Sequence, residues 1–131
     1  MKKPTFASLK RKLDAVFSQY IRLKDAAQGY AVCVTCHDVK MWKQLQCGHY
    51  VSRIYLATRW NEKNAAVQCV TCNVLRRGNY AEYTAYMLRK YGAGVIDELL
   101  ALKRKPVKLT VGDLQDLLAE FKNKIARLGA L

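Results

Sequence analysis

The tetrapeptide Cys-Val-Thr-Cys occurs twice, at 33–36 and at 69–72, and the copies bracket 32 residues, 37 to 68. Each Cys-x-x-Cys closes into a tight knuckle that aims two thiolates at one point. Two knuckles together make a tetrahedral sulfur cage of the kind Zn²⁺ favours. Cys33, Cys36, Cys69 and Cys72 are therefore the expected ligands of a structural zinc. A redox Cys-x-x-Cys would need a thioredoxin-like context, which is absent. Four thiolates leave no open coordination position, so this metal staples the chain and does no chemistry. Cys47 is left over from five cysteines and is assigned to packing. With four thiolates and one Zn²⁺, the formal charge of +13 becomes +11.

Inside the stapled segment stands His49, in Gln-Cys-Gly-His-Tyr-Val-Ser at 46–52. It is a ligand, a half-buried core histidine or a catalyst. Two asparagines bear on that choice. Asn64 lies five residues before the second knuckle, and Asn73 directly follows the last cysteine. The order is His, Asn, Asn, with the last fixed by the zinc at the start of a helix. His37, next to Cys36, reads either as a surface residue of its knuckle or as a partner of the metal site or a phosphate.

The elements that must hold these residues come from periodicity. Residues 5–28 read as an amphipathic basic helix, with Leu9, Leu13, Val16, Phe17, Tyr20 and Ile21 on one stripe and Gly29 as its C-cap. Residues 31–72 are short and irregular, with strand-like pieces near 43–51 and 54–60. A helix carrying Tyr80, Tyr83 and Met87 follows, broken at Gly92 and Gly94. A short helix then runs to a stop at Pro106. Thr110 and Asp113 form the capping box of a last helix. Its apolar residues Leu114, Leu117, Leu118, Phe121, Ile125 and Leu128 need cover, from the core or from a second subunit. The expected organisation is one domain over 1–131: helix 5–28, a zinc-stabilised core over 31–91 and helices over 92–131.

The 23 basic residues outnumber 10 acidic ones, and the excess recurs in every part: 7 against 2 in residues 1–30, 7 against 2 in 31–78, 9 against 6 in 79–131. Such a field suits a polyanion, and nucleic acid is the commonest one. No apolar run approaches the roughly 18 residues of a membrane span. The Lys-Lys start lacks the apolar stretch of a signal peptide. The expectation is a cytoplasmic protein without a membrane partner.

The combined pattern resembles the HNH nucleases, the ββα-metal or His-Me finger fold. More closely, it resembles the phage lambda NinG/Rap recombination protein family. The matching pieces are Cys33/Cys36, Gly48-His49-Tyr50, Arg59-Trp60-Asn61-Glu62-Lys63-Asn64, Gln68-Cys69-Val70-Thr71-Cys72-Asn73 and Gly78-Asn79. The resemblance runs from about residue 9 to the C-terminus. The long basic N-terminal extension of that family's lambda member has no expected counterpart here. The cysteine layout is also similar to that of endonuclease VII of T-even phages. The implied fold class is α+β, a zinc-stapled ββα core flanked by amphipathic helices and mostly helical overall.

The resemblance implies roles residue by residue. His49 matches the general base that deprotonates the attacking water, a task suited to an imidazole near neutral pH. Asn64 matches the residue that pins the base-bearing loop to its backbone. Asn73 matches the ligand of a catalytic Mg²⁺ or Mn²⁺, offering an amide oxygen to a hard cation. Many HNH enzymes put an aspartate or histidine just before the base as a second metal ligand. Here that residue is Gly48, which offers only a carbonyl. Glu62 is the leading substitute and Gln46 a weaker one. Glu62 reads equally as the partner of Arg59 or Lys63. Arg53, Arg59, Arg76 and Arg77 lie close in sequence to the site and carry forks suited to phosphate oxygens.

The implied activity is a metal-dependent endonuclease of branched DNA, such as Holliday junctions and D-loops, in phage recombination. It would work in the host cytoplasm if phage-encoded. An HNH nuclease of ordinary duplex, for restriction or packaging, and a non-catalytic zinc-stabilised DNA-binding module are the alternatives. Two symmetric incisions would call for a homodimer, with the terminal apolar helices as candidate surfaces.

Overall fold

A computed structural model describes residues 2–129; Met1, Ala130 and Leu131, the ends of the expected 1–131 domain, lie outside the described residues. Helix α1 spans Phe6–Leu23 and opens on Thr5, whose hydroxyl accepts from the Ser8 amide while the Ser8 hydroxyl accepts from the Thr5 amide. These reciprocal bonds satisfy two amides that a helix start leaves free. The helix buries Leu9, Leu13, Phe17 and Ile21, each about four residues from the last. It ends earlier than expected. The C-cap is Lys24, and the chain then turns through Gln28 and Gly29, both at positive φ (53° and 84°). That pair is the tight turn into β1, since two left-handed central residues match the twist of the strands they join.

The remaining elements are β1 (Tyr30–Val32), β2 (Val39–Met41), β3 (Gln46–His49), α2 (Leu56–Arg59), β4 (Ala65–Gln68), α3 (Tyr80–Tyr91), α4 (Val95–Lys103) and α5 (Val111–Gly129). The class is α+β, with helix over 58% of the chain, so the sheets serve to set register rather than to build a layer. β1 pairs with β2, and β3 with β4, both antiparallel. In the second pair His49 lies opposite Ala65 and Gln46 opposite Gln68.

The expected strand at 54–60 is instead a turn leading into α2. Its β-prone side chains lose to a different use of the backbone. The Thr58 carbonyl accepts from Asn64 and the Arg59 carbonyl from His49, so neither is left for a ladder. Asn73 lies near the start of a helix as expected, but that helix is a short π-helical turn over Thr71–Leu75, separate from α3.

Three clusters of buried side chains meet along β4, every residue of which is buried. Ala65 belongs to the cluster between α1 and α5, Val67 to the one around the cysteines, and Ala66 to the one under α3 and α4. Within the first, Phe17 meets Phe121 edge to face, at 5.0 Å between centroids and 84° between planes. Leu114 and Phe121 are buried there, with Leu117 and Leu118 packed beside them. The apolar stripes of the first and last helices thus cover each other within one chain. Thr110 and Asp113 close the capping box of α5 as expected. Among the described residues no helix is long and apolar enough to cross a membrane.

Candidate active site

The cysteines converge. The four sulfurs of Cys33, Cys36, Cys69 and Cys72 lie within 4.8 Å of one another, and Cys36 and Cys69 approach to 3.6 Å. A tetrahedral zinc with bonds of about 2.3 Å needs sulfurs roughly 3.8 Å apart, so the cage has the right size. Donors already face it. The Cys72 amide points at the Cys69 sulfur (3.4 Å), the Asn79 amide at the Cys72 sulfur (3.6 Å), and the Thr35 hydroxyl lies 3.3 Å from Cys33. Although burial alone would raise the Cys33 thiol, hydrogen bonds from Thr35 and nearby backbone amides bring it down to about 6, while burial pushes Cys36 up to about 12 and raises Cys69. His37 is exposed and takes a positive φ (67°) at the turn of its knuckle.

One side of β3 opens on a cleft of about 570 Å³. His49 and Asn73 both line it, together with Asp14, Gln46, Cys47 and Arg53. His49 Nε2 lies 2.9 Å from the carbonyl oxygen of Arg59. A carbonyl can only accept, so Nε2 carries the hydrogen and Nδ1 keeps its lone pair. Burial, with Phe17 stacked at a tilt 6.0 Å away, lowers the pKa of the imidazole below its ordinary value of 6.5. The ring is therefore neutral at pH 7, in one tautomer, with a free basic nitrogen.

Asn64 is fully buried and makes three backbone bonds across the loop after His49. Its oxygen accepts from the Val51 amide (2.7 Å), and its amide donates to the carbonyls of Val51 (3.0 Å) and Thr58 (3.1 Å). The loop that supplies the Arg59 carbonyl is thus tied at both ends. Asn73 Nδ2 donates to Gln46 Oε1 at 2.8 Å, leaving Oδ1 as its remaining acceptor.

Gly48 has a structural reason. A Cβ there would sit 1.8 Å from Gln68 Oε1, so no larger residue fits while Gln68 keeps its place. Gln68 is held by its own amide, which donates to the Gly78 carbonyl (2.9 Å) and to Thr35 (3.2 Å). The Gly48 carbonyl in turn accepts from the buried Tyr83 hydroxyl at 2.7 Å and is engaged on the core side. Gly48 therefore offers the cleft neither a side chain nor that carbonyl.

Glu62 does not line the cleft. Its carboxylate pairs with Lys124 of α5 and accepts from Tyr20, an ion pair with neither Arg59 nor Lys63. Arg59 is buried, with its fork already engaged. It holds Asp14 through two parallel bonds (2.9 and 2.6 Å) and the Arg53 carbonyl through a third (2.6 Å). Arg76 and Arg77 are exposed on the turn beyond the second knuckle and do not line the cleft. Of the four arginines, Arg53 alone both lines the cleft and stays exposed.

Sequence reasoning missed Asp14. Burial opposes its ionisation, but the Arg59 fork and the Trp60 indole (2.9 Å) hold its pKa below the usual 3.8. Its clue was solitude, as the one acid of a basic helix. Arg22, which also lines the cleft, belongs to the basic face of the first helix, which reads from sequence equally as a DNA contact or a solvated surface. Cys47 lies beside it as a half-buried packing residue whose thiol burial pushes up to about 12.

Comparison with known proteins agrees with the layout. The family model described as Bacteriophage Lambda NinG protein matches residues 2–130. The ninG proteins of Escherichia phage lambda and Salmonella phage P22 are each 27% identical to the chain over 97 residues, 73% of this chain and 47% of theirs. The chain thus spans about half the length of the curated relatives it matches. No solved structure matches it. A family match running almost end to end, on a fold whose cysteines gather as the spacing requires, carries one conclusion: the chain belongs to the NinG family of phage proteins.

Proposed function

We propose that this protein is an HNH-type, divalent-metal-dependent DNA endonuclease, acting on branched DNA in phage recombination. The observation that carries the reading is the tautomer of His49. The Arg59 carbonyl takes the Nε2 hydrogen, so Nδ1 is a bare base in a cleft it shares with Asn73. A merely structural histidine has no need of one nitrogen left free at an open cleft.

In this reading Nδ1 of His49 takes a proton from the water that attacks phosphorus, and the lowered pKa keeps it ready to do so at neutral pH. Asn64 fixes the loop, and through it the carbonyl that sets the tautomer. Asn73 Oδ1 would hold the Mg²⁺ or Mn²⁺ ion, with Gln46 orienting its amide. Bound there, the ion would supply Lewis-acid stabilisation of the charge that develops on the phosphate and the leaving oxygen. The donor set is neutral, since Asp14 is already paired with Arg59 and Glu62 with Lys124. Such a site suits an ion that draws its remaining charge partners from the substrate phosphate. The branched substrate rests on the family; the cleavage chemistry rests on the cleft.

The test is a cleavage assay with Mg²⁺ or Mn²⁺ on labelled four-way junction, linear duplex and single strand. His49→Ala should cost about 10²–10⁴-fold in rate without loss of fold. Asn73→Ala should weaken metal dependence. Equal cutting of plain duplex would reassign the substrate, and cleavage that survives His49→Ala would remove the enzyme reading. Binding without cleavage would leave a zinc-stabilised DNA-binding module, a reading favoured by the engaged Gly48 carbonyl.

A further inference from the structure

A second cleft, of about 520 Å³, opens beside the first and is lined by Ala7, Lys10, Arg11, Asp14, Arg53 and Arg59. It shares Asp14 and Arg53 with the cleft that holds His49 and Asn73. The two therefore run together as one groove, and a single face of α1 forms its wall. Ala7, Arg11, Asp14, Ser18 and Arg22 fall at steps of four, three, four and four, one stripe of the helix next to its buried one. From Ala7 to Arg22 the wall is about 22 Å long at 1.5 Å per residue.

The charges on this groove are arranged for an anion. Lys10 and Arg11 stand at one end, Arg22 at the other, and Arg53 between them at the shared section. Asp14 is the single acid lining either cleft, and both its oxygens are bound by Arg59. The groove thus carries free cations and a neutralised carboxylate. Arg22 is braced in advance: its Nε donates to the Ser18 carbonyl (3.2 Å) and hydroxyl (3.1 Å), and its guanidinium lies 5.0 Å over the Trp42 ring. Bracing lowers the entropy lost when such a fork engages a phosphate.

We propose that this groove is the strand channel. The sugar-phosphate backbone of one DNA strand follows α1, held by Lys10 and Arg11 upstream and Arg22 downstream, with Arg53 beside the phosphate presented to His49. The inference rests on the endonuclease reading only in naming DNA as the polyanion. It assigns phosphate contact to α1 and to Arg53, and denies it to Arg76 and Arg77. It also makes α1, which precedes both knuckles, part of the substrate site.

The test is binding, measured apart from cleavage. In a His49→Ala background, the Kd for a fluorescent four-way junction and for a single strand is followed across a NaCl series. The double variant Lys10→Gln/Arg11→Gln should weaken binding at least tenfold near 0.15 M salt and flatten the salt slope by about 2, as loss of two phosphate contacts requires. Arg76→Gln/Arg77→Gln should change Kd less than twofold. Arg53→Gln, on a loop where it cannot unravel α1, should weaken binding about as much as a single groove cation does. A larger loss from the Arg76/Arg77 pair than from the Lys10/Arg11 pair would overturn the channel. So would unchanged binding by the Lys10/Arg11 variant with its helical circular dichroism intact. The two readings fail separately. Unmodified protein that binds along α1 but never cuts removes the endonuclease, while protein that cuts with the groove cations removed retains the endonuclease and loses the channel.

Discussion

The sulfur cage closes the end of β4 and the cleft opens along its partner β3, and they are built on opposite plans. In the cage every ligand points inward, donors face the sulfurs, and no position is left open. In the cleft His49 and Asn73 each have one atom tied and another free. His49 gives Nε2 to Arg59, and Asn73 gives Nδ2 to Gln46. Holding one end of each group fixes its direction without using up its reactivity. A closed site stabilises; a half-satisfied, immobilised one is equipped to act.

Breaking the cage should have the largest effect. Removal of zinc with a strong chelator, or Cys69→Ser, should unfold the 31–91 region, because structural zinc sites of this type contribute on the order of 10 kcal/mol to folding. Loss of the cooperative thermal transition, followed by circular dichroism, is the readout. Retention of a sharp transition after full zinc release would show that the cage is not the staple. Next comes Asn64→Ala, which strands one buried amide and two carbonyls and should cost about 3–5 kcal/mol in a urea melt. A loss below ~1 kcal/mol would mean that the loop holds itself. The smallest effect is that of pH. The folded pKa of His49 lies below 6.5 because burial disfavours the charged ring. The unfolded chain takes up its proton first as pH falls. The contribution of His49 to stability is therefore complete above 6.5 and declines between 6.5 and the lower folded value. Cleavage should follow the same group, flat above 6.5 with an acid limb centred lower. A limb centred above 6.5 would require a base other than His49.

The cage was legible because its information is local. Two knuckles, each four residues long, carry all four ligands, and spacing alone announces them. His49, Asn64 and Asn73 could be singled out because they hang on that frame. The rest of the cleft depends on chain segments that meet only in three dimensions. Asp14 finds Arg59 across 45 positions, and no pattern in either segment forecasts the pair. Arg59 itself looked like a phosphate ligand because its type and neighbourhood fitted, yet the half-buried Asp14 carboxylate holds its fork. Glu62 does form an ion pair, one of its two readings, but with a partner the sequence does not point to. Lys124 lies in a helix far along the chain, and its charge is invisible from the loop that holds Glu62. Gly48 shows the converse case. Its lack of a side chain looked like a missing ligand, and it is the space that Gln68 fills. The apparent strand at 54–60 failed because β-propensity says nothing about side chains competing for its carbonyls.

The clasp of α1 by α5 joins segments roughly a hundred residues apart, among the most distant contacts the chain makes. On a ribosome the knuckles can close while α5 is still unmade. Until that helix emerges, Leu13 and Phe17 have only the cover that β3, β4 and Trp60 give, and the groove wall is held from one side alone. Maturation of the cleft side is thereby deferred to the final stage of synthesis, after both knuckles have emerged.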